Sequence, residues 1–151
     1  MIKLGQAWNN AVYSNEWFVP SMKRIQFTFK AIMPSLDTAG HIGIGVVSEK
    51  HHLSKKTSPH CKESIIYYNG GYVALNGTKH GPDSKVKYTN EHKISFIIDF
   101  ISDVVRVKNH TKSTEAVILK LKDLKYQKLK LCITIYFKND GFELLDYIND
   151  E

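Results

Sequence analysis

Apolar and polar residues alternate along most of this chain. From Ile25, the residues Ile25, Phe27, Phe29 and Ala31 fall on one side of an extended backbone, with Gln26, Thr28 and Lys30 on the other. A period of two marks a half-buried β-strand. The period returns in Ile42, Ile44 and Val46, whose opposite side carries Gly43 and Gly45, flat enough for another backbone to come close. It recurs in Ile94, Phe96, Ile98 and Phe100, and again in Leu129, Leu131, Ile133, Ile135 and Phe137. Val105 and Val107 alternate with Arg106 and Lys108, which predicts a solvent-facing companion strand. VILKL at 117–121 and FELLDYI at 142–148 predict two more strands. No stretch carries the 3.6-residue period of a three-turn amphipathic helix.

The phrase ESIIYYNGGYVALNG, residues 63–77, tests two readings of its glycines. A phosphate-cradling loop needs them just ahead of a helix, and a hairpin needs them between strands. No helical pattern follows, so Asn69-Gly70-Gly71 is read as a hairpin turn between strands 64–68 and 72–75. Two polar stretches, 48–63 and 78–92, lose the alternation and are read as long exposed loops. Residues 1–22 have no period but carry Trp8, Trp17 and Phe18, and are read as a segment capping one open side of the core. The expected organisation is one domain over 1–151, with the sandwich core at 23–148.

Charge and candidate chemistry change this picture little. The net charge is +6, which steers acidic partners. However, 19 of the 21 basic residues are lysines scattered along the chain, whereas bidentate reading of phosphates and bases favours arginine. A protein partner is therefore preferred over nucleic acid, although lysine-mediated nonspecific nucleic-acid binding stays open. With two cysteines, Cys61 and Cys132, a disulfide framework does not organise the fold, and Cys132 reads as inert core. His51, His52, His60 and Cys61 do not match common zinc spacings, so no metal and no cofactor is expected. Asp99 lies opposite an apolar row as a triad carboxylate would, but no Gly-x-Ser-x-Gly elbow supplies a nucleophile, and Asp99 is read as bonding a neighbouring turn. No apolar run reaches the roughly 20 residues of a membrane span and no signal-peptide pattern opens the chain, so a cytoplasmic location is expected.

Three stretches taken in order resemble the SPRY domain family. RIQFTFKAIMP with GHIGIGVVSE is similar to that family's early strand pair, SIIYYNGGYVALNG to its Tyr-x-x-Gly-Gly hairpin, and HKISFIIDFISDVVRVKNH to its long hairpin. The resemblance spans about 23–146 and implies an all-β fold. This is a two-sheet antiparallel β-sandwich of the SPRY and concanavalin-like jelly-roll kind, non-enzymatic, whose loops at one end bind a segment of another protein. Many family members serve as recognition modules in scaffolds or ubiquitin ligases. Applied here, the reading is an adaptor-like module with a groove between loops 48–63 and 78–92. Its candidate contact residues are His51, His52, Lys55, Lys56 and His60 in the first loop, Tyr68 and Tyr72 at the hairpin, and Lys79, His80, Lys85 and Tyr88 in the second. Such a basic, aromatic rim suits an acidic or polar peptide. The rival is a lectin-like carbohydrate-binding sandwich, because the architectures are related.

Overall fold

A computed structural model describes residues 2–3, 10–34, 42–50, 63–80, 86–135 and 139–150. Among the described residues, twelve antiparallel strands form two six-stranded sheets and there is no α-helix. The first sheet has the order β1 (Ile2–Lys3), β12 (Gly141–Asp150), β3 (Arg24–Ile32), β8 (Lys93–Asp99), β9 (Val104–Asn109) and β10 (Thr114–Lys120). The second has the order β2 (Asn10–Tyr13), β11 (Leu129–Ile135), β4 (Ile42–Ser48), β5 (Ser64–Tyr68), β6 (Val73–Leu75) and β7 (Thr78–His80). The segment before residue 23 therefore supplies an edge strand to each sheet, and Phe18 bridges to Leu129 beyond β2.

The alternating rows close on one another between the sheets. Ile25, Phe27, Phe29, Phe96, Ile98 and Phe142 from the first sheet meet Ile42, Ile44, Ile65, Tyr67, Leu131 and Ile133 from the second, all buried. Val105 and Val107 join them at 0% and 2% exposure, so β9 is half-buried and not the solvent-facing strand its charged neighbours suggested. Val104, Arg106 and Lys108 alternate with them on the half-exposed face, the last two opposite Val117 and Glu115 of β10. A smaller apolar cluster of Ala11, Val47, Ile66, Tyr68, Ala74 and Cys132 lies on the other side of the second sheet. Tyr67 and Tyr68 thus face opposite ways, as neighbours in a strand must.

One stretch expected as loop is strand. Asn76 and Gly77 both have positive φ, 49° and 85°, and form a two-residue hairpin that returns the chain as β7 beside β6. Thr78, Lys79 and His80 carry no apolar alternation because β7 is a polar edge strand. Phe137, expected as the last inward residue of β11, lies outside the described residues.

Candidate functional site

The ladders decide which connections can meet. Val47 pairs with Ser64 and Leu75 with Thr78, so the stems of the 48–63 segment and the Asn76-Gly77 turn share one end of the sandwich. His80 pairs with Val73, and the Tyr88 amide donates to the Asn69 carbonyl, so the segment after β7 emerges at the opposite end. The two loops read from sequence as walls of one groove are therefore rooted at opposite ends of the sheet. His51, His52, Lys55, Lys56 and His60 of the first, and Lys85 of the second, lie outside the described residues. Of the remaining candidates, Lys79 and Tyr72 come together on the far side of the second sheet, with the Lys79 ammonium 3.8 Å from the Tyr72 ring centre. His80 closes the same strand.

Tyr68 and Tyr88 are buried. Tyr68 is 5% exposed in the small outer cluster, and desolvation pushes its hydroxyl well above the usual tyrosine range. Tyr88 is 3% exposed, and its hydroxyl donates to the Ile42 and Tyr67 carbonyls at 3.0 and 3.3 Å. It pins the segment after β7 to the sheet; its neighbours Lys87 and Thr89 remain at the surface or half-buried.

That pinning helps build a site at the second end. Lys87, Tyr88, Thr89, His92, Lys112 and Thr114 line a cleft of about 440 Å³. Adjoining it through Thr114 is a second of about 430 Å³, lined by Lys108, His110, Ser113, Thr114 and Glu115. Asn109, fully buried at the end of β9, ties the walls together. Its Nδ2 donates to the Lys87 carbonyl at 2.7 Å and lies 3.0 Å from His92 Nδ1, while its Oδ1 accepts from the Lys112 amide at 3.1 Å. His92 Nδ1 also accepts from the Thr89 amide, which leaves the ring proton on Nε2. The two clefts together are lined by three lysines, two histidines and one carboxylate, Glu115. The buried Thr114 Oγ1, where the clefts meet, has no hydrogen-bond partner among the described residues. At the first end, a cleft of about 350 Å³ balances Lys50 and Lys125 against Glu63 and Asp123.

Sequence reading missed the Asn109 pin and a Ser-His pair beside it. Ser95 Oγ lies 2.7 Å from His110 Nε2 and 2.7 Å from Thr28 Oγ1. A hydroxyl against an imidazole is the first requirement of a nucleophile. Here Ser95 is 1% exposed in the sheet, beyond the reach of a substrate. Burial, Lys108 and Lys93 together hold His110 below its ordinary pKa, against a smaller pull from Glu115. The register that brings Ser95 opposite Lys108 is visible only once β8 and β9 are paired. Asp99 accepts from the Ser102 amide at 2.9 Å, as a turn-capping residue. Among the described residues no three His, Cys, Asp or Glu side chains group as a metal site, and no helix is long and apolar enough to cross a membrane.

No protein-family model matches the sequence, and no curated protein is similar to it in sequence. Among solved structures, the SPRY domain of human HERC1 superposes with a TM-score of 0.69 at 14% identity, covering 94% of this chain and 85% of that one. The TRIM65 PSpry domain gives 0.63 at 12% identity, covering 93% and 72%. The fold is that of the SPRY domains. Chicken galectin 2 gives 0.53 at 10% identity, covering 94% and 98%, so the SPRY fold here also shares the broader lectin-like two-sheet plan. The likeness is one of fold, and what this chain adds to that fold is the set of lysines, Lys87, Lys108 and Lys112, on the clefts of its second end.

Proposed function

We propose that this protein is a non-enzymatic recognition module, and that the paired clefts at its second end hold an acidic segment of a partner protein. The carrying observation is the contrast between the described clefts of the two ends. Lys87, Lys108 and Lys112 line clefts whose walls are fixed through Asn109, whereas the cleft described at the other end balances two lysines against two carboxylates. A preformed wall spares the ordering cost that a floppy loop incurs on binding, and like-signed cations raise the encounter rate with an acidic segment. Lys79 and His80, which lead into the same end, and Lys85 between them and the cleft in sequence, extend the basic character proposed for it.

The SPRY-like scaffold supports a protein partner. The carbohydrate alternative rests on the fold alone, since among the described residues the cleft offers no cluster of Asp and Asn and its buried Asn109 is already committed to three neighbours. A fluorescein-labelled dodecapeptide of alternating glutamate and serine serves as the probe. Its affinity should fall at least tenfold when Lys87→Glu and Lys112→Glu are combined, and should weaken steeply between 50 and 300 mM salt, in the manner of rim charges. Galactose in the same titration should compete with nothing. Unchanged affinity in the double variant, with the melting temperature preserved, would refute the assignment.

A further inference from the structure

The last strand has the opposite character from the basic clefts. From Asn139 to Glu151 the sequence carries 5 of the chain's 15 acids (Asp140, Glu143, Asp146, Asp150, Glu151) and none of its 21 Lys and Arg residues. In the first sheet β12 pairs along one side with β3, from Gly141 to Asp150. Along the other side, among the described residues, it meets only Ile2 and Lys3 of β1, opposite Phe142 and Gly141. Beyond Phe142 the strand is, among the described residues, the edge of the sheet. Several of its apolar side chains are about half exposed: Leu144, Leu145 and Ile148 at 46%, 45% and 41%.

Register fixes what this edge presents. After the bulge between Leu144 and Asp146, the residues Asp146, Ile148 and Asp150 lie opposite Thr28, Gln26 and Arg24, all on the outer side of the sheet. They read acid, aliphatic, acid at two-residue intervals, about 7 Å apart. Glu143 is answered by Lys30 at 3.1 Å, but among the described residues no cation lies within ion-pair distance of Asp146 or Asp150. Strand edges are usually blunted by charged side chains, proline or a bulge; this one has a bulge between Leu144 and Asp146 and only acidic charges, so it repels an acidic strand and admits a cationic one.

We propose that the edge of β12 is a docking site for an extended, cationic segment of a partner protein, added as a further strand with a lysine or arginine, an aliphatic residue and a second lysine or arginine at alternate positions. Main-chain pairing supplies the binding mode and the side chains supply the selection. The cations meet Asp146 and Asp150, and the aliphatic residue covers Ile148. A second copy of this chain fits poorly, since its own β12 would bring acids against acids. The site lies apart from the basic clefts and does not depend on them.

The probe is an acetylated and amidated octapeptide repeating lysine, threonine, valine, threonine twice, titrated into the intact protein at low salt. Hydrogen exchange should slow at the amides of 144–150, and binding should weaken at least tenfold in Asp146→Lys with Asp150→Lys. It should stay unchanged in the Lys87→Glu, Lys112→Glu protein. Replacing the peptide's lysines by glutamate should abolish binding. Two N-methylated peptides provide a test that needs no protein variant. Methylating the threonine amides in one and the lysine and valine amides in the other should leave one peptide binding and cost the other at least tenfold, because an edge pairs with one side of a strand. Equal binding by both methylated peptides, binding indifferent to the charge reversal, or a dimer of the protein that protects 144–150 without peptide would each overturn the proposal.

Discussion

Tyr88, Asn109 and His110 show how single side chains hold the second end in shape. Tyr88→Phe keeps the ring against Tyr67 and Phe142 but removes the donor to two carbonyls. We expect a loss of about 1 kcal/mol in urea denaturation, because the Ile42 carbonyl still accepts from Asn69. His110 gives the fold a pH dependence of defined sign. Its pKa in the folded protein is held below the ordinary value by burial, Lys108 and Lys93. The unfolded chain therefore takes up the proton first as the solution is acidified. The stabilisation is complete above about pH 6.5 and is lost as pH falls through the lower folded value. His110→Gln should flatten the fall in melting temperature between pH 7.5 and 5.5, and an identical slope in both proteins would show that other groups set it.

At the scale of elements, Gly45 shows what alternation can and cannot convey. The flat side of β4 was legible from Gly43 and Gly45, but not what would lie against it. It is the neighbouring strand itself: a Cβ on Gly45 would fall 1.8 Å from the Ile65 carbonyl oxygen and 2.7 Å from Ile66 Cα. Gly45→Ala should therefore prevent β4 and β5 from closing and cost on the order of 3 kcal/mol, read from the denaturation midpoint at unchanged slope. Phe96→Ala, in the middle of β8 and fully buried, should cost a similar amount through lost burial and a cavity. The long inward rows of β3, β4, β8 and β11 were readable because each buries one face against the opposite sheet. β7 was not, since its three polar residues bury nothing that a pattern could register, and only the Asn-Gly pair before it marked the turn. Val105 and Val107 were assigned to the wrong environment for a related reason. Two valines between charged residues look the same on a surface strand as on one whose single inward face is buried.

For the molecule as a whole, the two-layer plan was legible, whereas the strand count, short by β1, β2 and β7, and the placement of the site were not. Loops 48–63 and 78–92 are both long and basic, and nothing local reveals that an odd number of strand passes separates them. That parity puts Ser48 and Tyr88 at opposite ends, so a groove needs partners that sequence proximity does not supply, such as Lys112 from the turn after β9 and Thr114 at the start of β10. The order of strands also bears on how the chain comes to fold. β11 lies between β2 and β4, and β12 between β1 and β3, so each sheet is completed by one of the last two strands synthesised. A chain emerging from the ribosome holds β3 and β4 with one edge open until nearly everything else has been made. Such topologies fold slowly, in milliseconds to seconds, because distant segments must meet before either is rewarded. A fragment ending at residue 128 should show no cooperative melting transition, and until β11 and β12 emerge the nascent protein presents two bare apolar strand edges to chaperones.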